Sequence, residues 1–245
     1  MLDFDIKIFD IVDLINADDF ISLHEGIKNF NIDLNEIEMP LGFLCWSDRI
    51  QTLVKELDVN RYNKMIDTNI VTKDDYLFLC DVNLKNGLKE HDYFNFLLTY
   101  HKPIDILEKF HVYSILRKAN ANMVKDLFGK PINVGTEDTF FGHINVYPKD
   151  SFIKKHTDID PAGKRLYTSI FFLNDGRTED DGSVLRIYTD NGILDVVPDF
   201  RKVVVLEHQK YNYVHEVTPN RIDGVRYSIY SSFTSVDYEN RIDKR

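Results

Sequence analysis

The sequence predicts an α+β protein, in which a mainly helical N-terminal region supports a jelly-roll core. In the first 130 residues, apolar side chains recur at three- and four-residue spacing, which is typical of amphipathic helices. The run Gly129-Lys130-Pro131 ends that pattern. From residue 136 onward, short strand-like runs alternate with turn residues at intervals of about ten residues, as in a sandwich or barrel.

The helical periodicity is clearest in residues 18–30 and 103–127. The histidines of this half are scattered, and none is paired with a second ligand type at metal spacing, so we interpret them as surface or core residues. They are His24, His91, His101 and His111. We therefore expect residues 1–135 to form a supporting region that packs on the core.

Eight strands are predicted in the second half, and eight short strands suit a double-sheet jelly roll. They span residues 139–147, 152–158, 167–173, 183–188, 193–196, 202–208, 213–217 and 225–233. The predicted core is 136–236, and 237–245 is a C-terminal tail.

The composition is that of a globular protein without a membrane span: 43% of its 245 residues are hydrophobic and 29% are charged. A formal net charge of −10 disfavours a broad contact with nucleic acid. We find no secretory signal and no long apolar run. The only two cysteines, Cys45 and Cys80, lie in apolar surroundings and are expected to be buried free thiols. A reducing cytoplasm is the expected location.

The triplet His156-Thr157-Asp158 is a candidate metal-binding motif. On an extended segment the imidazole and the carboxylate point the same way, because side chains alternate across a strand. A second histidine from a distant strand would complete a two-histidine, one-carboxylate set suited to non-haem Fe(II). His215 and His208 compete for that position. We prefer His215, which lies within a predicted strand, whereas His208 lies at a strand end where a solvated loop is expected.

Two predicted strands carry unusual polar rows. In the strand 139–147, His143, Asn145 and Tyr147 alternate with apolar residues. In the last strand, a row of Arg226, Ser228, Tyr230 and Ser232 alternates with Tyr227, Ile229, Ser231 and Phe233. Polar rows in a small barrel face either solvent or a ligand cavity. Because these rows occur in the same region as His156, Asp158 and His215, we favour a ligand cavity.

These residues resemble the Fe(II)/2-oxoglutarate-dependent dioxygenases, and specifically their prolyl-hydroxylase-like branch. The resemblance covers about residues 136–233 and depends on the order of several motifs. They are Tyr147-Pro148, His156-x-Asp158, the strand from Ser169 to Asn174, Gly182 to Ile187, His215-Glu216-Val217-x-Pro219 and Arg226-Tyr227-Ser228. The helical half contributes nothing to it.

The resemblance implies a double-stranded β-helix in which His156, Asp158 and His215 bind iron. It also implies that 2-oxoglutarate chelates the metal and that its distal carboxylate pairs with Arg226, whose planar guanidinium suits a carboxylate. Ser228 and Tyr147 would add hydroxyl donors. One departure concerns the tyrosine that relatives use near this carboxylate. Phe172 stands there, and the hydroxyl of Thr168, four residues earlier, is a candidate replacement.

The leading functional hypothesis is an oxygenase that hydroxylates a prolyl or other residue in a peptide or protein, using O₂ and releasing succinate and CO₂. Ascorbate is a candidate accessory reductant. One alternative keeps this chemistry but acts on a free amino acid or other small metabolite. Another, of a different class, is a non-catalytic jelly-roll binding module or a cupin-type metal isomerase.

Overall fold

The computed structural model describes residues 6–40, 48–86, 98–100, 103–129, 143–158, 165–208 and 213–234. Several predictions fall outside them: those on Cys45, the side chain of Cys80, His91 and His101, the boundary between residues 135 and 136, residues 139–142 of the first predicted core strand, and the tail 237–245. The described helices are α1 (Ala17–Asn29), α2 (Asp48–Leu57), α3 (Val59–Thr68), α4 (Lys73–Lys85), α5 (Pro103–Lys109) and α6 (Tyr113–Phe128). None of them is long and apolar enough to cross a membrane.

Two antiparallel sheets form the jelly roll, so the predicted α+β class with a double-stranded β-helix core is confirmed. Each of the eight predicted core strands is found. They are β5 (His143–Tyr147), β6 (Ile153–His156), β7 (Arg165–Phe172), β8 (Leu185–Thr189), β9 (Gly192–Val196), β10 (Lys202–Glu207), β11 (Val214–Val217) and β12 (Arg226–Thr234).

The N-terminal region contributes strands as well as helices. In the larger sheet, β1 (Ile6–Asp10) pairs with β10 at one edge, and β4 (Leu98–Tyr100) pairs with β5 at the other. The order of that sheet is β1-β10-β7-β12-β5-β4, and the order of the smaller sheet is β6-β11-β8-β9. A separate pair joins β2 (Glu38–Pro40) to β3 (Ile70–Thr72). These four strands contain only three to five residues each, too few for a periodicity to be recognised.

The larger sheet separates two apolar cores. In β10, Val203 and Val205 belong to the cluster shared with the helices, whereas Val204 and Leu206 belong to the cluster shared with the smaller sheet. A strand that is buried on both faces has no polar side to show, which accounts for the continuous apolar run in β10. The helices thus cover one face of this sheet and leave the other for the cavity.

The last long helix, α6, ends as predicted. Gly129 follows it with φ of 65°, a left-handed conformation that glycine adopts without steric cost. Near that end, Phe128 contacts Tyr167 of β7 and Phe233 of β12, with ring centroids 6.1 and 5.5 Å apart. This contact ties the helix to the centre of the larger sheet.

The turn before β8 contains a glycine that cannot be replaced and a serine that is strained. Gly182 has φ of 72°, and a Cβ there would lie 2.0 Å from the carbonyl oxygen of Pro219. Ser183 follows with φ of 56°; it is fully buried, and its Oγ has no hydrogen-bond partner in the described structure. Both conditions are unfavourable for a serine.

We expect Ser183→Gly to raise the free energy of unfolding by about 1 kcal/mol. Relief of the left-handed conformation and of the orphaned hydroxyl is worth more than the extra chain entropy that glycine loses on folding. Chemical denaturation of the metal-free protein measures the change. Asp150→Gly is the matched control, since Asp150 has φ of 64° but is exposed, and it should gain less. A loss of stability in Ser183→Gly would show that the hydroxyl has a stabilising role.

Candidate metal centre and anion pocket

Strand pairing brings the two candidate histidines face to face. His156, the last residue of β6, lies opposite His215 of β11, and their ring centroids are 4.3 Å apart. Asp158 follows two residues after His156 and points the same way. Its Oδ1 lies 3.6 Å from Nε2 of His156, and its Oδ2 lies 3.8 Å from Nε2 of His215. One ligand atom from each of these residues lies within 4.8 Å of the other two, close enough for one metal ion.

Backbone carbonyls fix the tautomer of both histidines. Nδ1 of His156 lies 2.8 Å from the carbonyl oxygen of Lys154, and Nδ1 of His215 lies 3.1 Å from that of Tyr213. A carbonyl oxygen only accepts, so Nδ1 must carry the proton in each neutral ring. Nε2 is then left with a lone pair directed at Asp158, which is the form in which histidine binds a metal.

The electrostatics keep the carboxylate ionised. Burial raises the pKa of Asp158, but His156, which donates to the carboxylate when its ring is protonated, and the positive charges that His215, His156 and His208 carry when protonated outweigh burial and lower the pKa to about 2. Burial lowers the pKa of His215 below its usual value. At His156, burial also lowers the pKa, but the protonated ring can donate to Asp158 as well as to the Lys154 carbonyl, and these interactions outweigh burial and raise the pKa. The cluster therefore offers a negative oxygen ligand at neutral pH.

The two polar rows predicted from the sequence line one cavity of about 200 Å³. From β5 come His143, Asn145 and Tyr147, and from β12 come Arg226, Ser228 and Tyr230. The candidate metal ligands line the same cavity, together with apolar side chains that single-strand patterns did not single out: Ile153, Ile170, Leu185 and Val217. The volume is small for a drug-sized ligand and suits a small-molecule co-substrate.

The lining of this cavity includes a buried cation with unused donors. Arg226 is 1% exposed, and its Nε and Nη1 have no hydrogen-bond partner among the described residues. Its guanidinium carbon lies 4.2 Å from the centroid of the Tyr147 ring. A buried arginine with free N–H groups leaves a large desolvation cost uncompensated, and an anion in the cavity would offset it.

Hydroxyl groups surround this guanidinium. Burial raises the pKa of Tyr147, although Arg226, Ser228 and Asn145 act in the opposite direction, so the phenol keeps its proton at neutral pH. Ser228 and Asn145 are directly opposed in the β12–β5 pair. The pocket thus combines a fixed positive charge with neutral donors, which is the chemistry of a carboxylate site.

The structure places Thr168, the candidate substitute for the missing tyrosine, away from Arg226. Phe172 does lie beside Arg226, with its ring centroid 5.3 Å from the guanidinium carbon. Thr168 is opposite Ser232, whereas Phe172 is opposite Ser228. Four residues of strand separate them, roughly 13 Å. Thr168 therefore cannot replace the tyrosine hydroxyl, and its own hydroxyl contacts Asp158 instead.

His208 is also placed differently from the prediction. It was expected to be solvated, but its side chain is 7% exposed and its Nε2 lies 3.9 Å from Oδ2 of Asp158. Burial lowers its pKa to about 4, with only partial opposition from Asp158. The signal was present in the sequence: at two-residue spacing, His208 continues the inward row of Val204 and Leu206. His208 thus lies next to the cluster formed by His156, Asp158 and His215. That cluster contains His215, the histidine that we preferred from the sequence.

The residues present fit Fe(II) and 2-oxoglutarate. Two imidazole nitrogens and one carboxylate form a donor set of the kind used for non-haem Fe(II), with positions left for other ligands. The orphaned N–H groups of Arg226, in the same cavity, fit the far carboxylate of a dicarboxylic acid. His156, Asp158 and His215 would hold the metal, and Arg226 with Tyr147 and Ser228 would hold the co-substrate.

Comparison with known proteins agrees with this chemistry. Residues 142–233 match the model of the 2OG-Fe(II) oxygenase superfamily. That segment contains the metal-binding candidates and Arg226, and its family implies Fe(II) and 2-oxoglutarate. No curated protein sequence matches the chain.

The solved structures that match this chain include two prolyl hydroxylases. A Pseudomonas putida prolyl-4-hydroxylase is 22% identical over 56% of this chain and 71% of its own, with a TM-score of 0.42. A Trichoplax adhaerens prolyl hydroxylase, in complex with a peptide fragment of the hypoxia inducible factor oxygen degradation domain, is 15% identical. It covers 91% of this chain and 94% of its own, with a TM-score of 0.45.

Proposed function

We propose that this chain is a 2OG-Fe(II) dioxygenase that hydroxylates a prolyl or other residue of a peptide or protein. The match of residues 142–233 to the model of the 2OG-Fe(II) oxygenase superfamily supports the proposal. The observation that carries the proposal is one cavity holding both a His-Asp-His cluster and a buried arginine with unused donors. The peptidyl substrate follows from the prolyl-hydroxylase-like motifs of the sequence. A reducing compartment such as the cytoplasm would keep the iron ferrous, and ascorbate would serve as an accessory reductant.

When bound, the metal with 2-oxoglutarate and O₂ would supply the oxidising chemistry, which yields succinate, CO₂ and a hydroxylated substrate. The residues of the chain itself bind and orient the metal and the co-substrate. His156, Asp158 and His215 present three fixed donors, because strand pairing and carbonyl hydrogen bonds hold the imidazoles. Arg226, which is buried and lines the same cavity, fixes the co-substrate through its guanidinium.

The arrangement favours this function over a binding module or a metal isomerase. Neither alternative has a use for a fully buried guanidinium facing the same cavity as a metal cluster. Burial lowers the pKa of Arg226, which reflects how unfavourable the charge is there without an anionic partner. Such an arrangement costs stability and is explained by a ligand that carries a carboxylate.

A turnover assay tests the proposal. The full chain is incubated with Fe(II), ascorbate, 2-oxoglutarate and either a library of proline-containing peptides or a mixture of free amino acids. We expect succinate to form in excess of the rate without substrate, and one peptide to gain the mass of one oxygen atom. Oxygen gain confined to the free amino acids would replace the peptidyl substrate by a small metabolite. Absence of succinate in every arm would contradict the oxygenase assignment.

A further inference from the structure

The hydroxyl of Thr168 lies at the junction of three polar groups behind the metal cluster. Its Oγ1 lies 3.3 Å from Oδ2 of Asp158, 2.7 Å from Nε2 of His208 and 3.3 Å from the hydroxyl of Tyr230. Thr168 is fully buried, and the side chain of His208 is 7% exposed. The Thr168 hydroxyl and the His208 ring are therefore shielded from bulk solvent.

The direction of the hydrogen bonds follows from the number of protons. An ionised carboxylate only accepts, so Thr168 must donate its single hydroxyl proton to Asp158. Its two lone pairs then accept from Nε2–H of His208 and from the hydroxyl of Tyr230. Nδ1 of His208 is buried and has no partner in the described structure. A neutral His208 ring with its proton on Nε2 is therefore the form that lets Thr168 make all three hydrogen bonds.

Strand pairing sets up this chain of donors. Leu206 of β10 lies opposite Thr168 of β7, and the backbone N–H of His208 bonds to the carbonyl of Leu166, so His208 and Thr168 lie on adjacent strands and face the same way. The two strands belong to the larger sheet, whereas His156 and His215 come from the smaller one. The contact thus fixes Asp158 from the sheet opposite the histidines.

We propose that Thr168 and His208 are positioning residues, which hold the Asp158 carboxylate in the orientation that binds the metal. The proposal rests on the metal site of the proposed function. A carboxylate that gives one oxygen to a metal keeps a second oxygen, and a donor to that oxygen fixes the rotation of the group. Hydrogen bonds of this kind commonly change metal affinity by about 10- to 100-fold.

Mn(II) affinity of the purified full chain, measured by calorimetry and by the electron paramagnetic resonance signal of free Mn(II), tests the pair. Thr168→Val removes the hydroxyl at nearly constant shape, and we expect its dissociation constant to rise about tenfold or more. Thr168→Ser keeps the donor and should stay within about threefold of the parent. His208→Leu should weaken binding, whereas His208→Gln, which retains an N–H at similar reach, should restore most of it.

Two further variants separate positioning from a general loss of structure. Ser169→Ala removes a neighbouring buried hydroxyl that bonds to the carbonyl of Ser231 and should leave Mn(II) affinity unchanged. In the double variant Thr168→Val/His208→Leu, the second change should add little, because both residues act through one chain of hydrogen bonds. Thermal unfolding of each metal-free variant shows whether it retains a cooperative fold.

The outcomes distinguish this inference from the proposed function. If the parent protein binds no Mn(II), the metal site itself is wrong and both proposals fail. If the parent binds Mn(II) and a cooperatively folded Thr168→Val binds it equally well, only the positioning role is overturned. Equal weakening in Thr168→Val and Thr168→Ser would also overturn it, because the hydroxyl would then not be the feature that matters.

Discussion

Replacement of Arg226 by methionine is expected to weaken 2-oxoglutarate binding to the Mn(II)-loaded protein by on the order of 100-fold or more. Two charge-assisted hydrogen bonds to a carboxylate contribute about 3 to 6 kcal/mol together, and 1.4 kcal/mol corresponds to a tenfold change. Methionine is similar in length, so no large void remains in the core. Mn(II) affinity should change little, because Arg226 is not among the metal-binding candidates.

The same variant has an expected effect of opposite sign on stability. Nε and Nη1 of Arg226 are buried and have no partner among the residues that the structure describes, and an unsatisfied buried donor costs about 1 to 3 kcal/mol. We therefore expect the ligand-free Arg226→Met protein to unfold at a higher denaturant concentration than the parent. Arg186→Met is the matched control, since Arg186 pairs with Asp195 outside the cavity and should leave 2-oxoglutarate binding intact. Unchanged 2-oxoglutarate affinity in a folded Arg226→Met would remove Arg226 from this role.

Loss of Asp158 is expected to abolish measurable metal binding. Asp158→Ala removes the only negative ligand of the cluster, and His156→Ala or His215→Ala leaves two ligands where a stable site needs three. We expect the Mn(II) dissociation constant to rise by more than about 100-fold in each variant, beyond the range seen when only a supporting group is lost. Titration with Mn(II), followed by calorimetry, measures it.

A second His–Asp pair in this chain provides the control. His24 bonds to Asp175 over 2.8 Å at the edge of the helical layer, away from the cavity. Asp175→Ala should leave Mn(II) binding unchanged, so an effect limited to Asp158 identifies the metal site. Intact Mn(II) affinity in both Asp158→Ala and His156→Ala would refute the assignment.

The strands of the core could be predicted because their side chains alternate and their turns are marked by glycine, proline and asparagine. The polar rows of β5 and β12 followed from the same alternation, and both line the cavity. What could not be predicted was register. Which side chains Thr168 meets on the neighbouring strands depends on the pairing of β7 with β10 and β12, and no single strand contains that information.

His208 illustrates a different limit. Its sequence neighbours are polar, which favours a solvated loop, yet it continues the inward row of β10 and packs against Thr168. Local polarity predicted an exposed side chain, and strand periodicity predicted a buried one. The His208 side chain is buried between the two sheets. In the same way, the short strands β1 and β4 pair with edges formed by distant residues, so their own few residues carry too weak a signal.

The central claim is that one cavity binds a metal and 2-oxoglutarate together, and calorimetric titration of 2-oxoglutarate into the full chain tests it most directly. With Mn(II) present we expect saturable binding of one molecule per chain, weakened strongly by omission of the metal, by Asp158→Ala and by Arg226→Met. No heat of binding in the Mn(II)-loaded parent protein, or binding that is indifferent to both substitutions, would contradict the account.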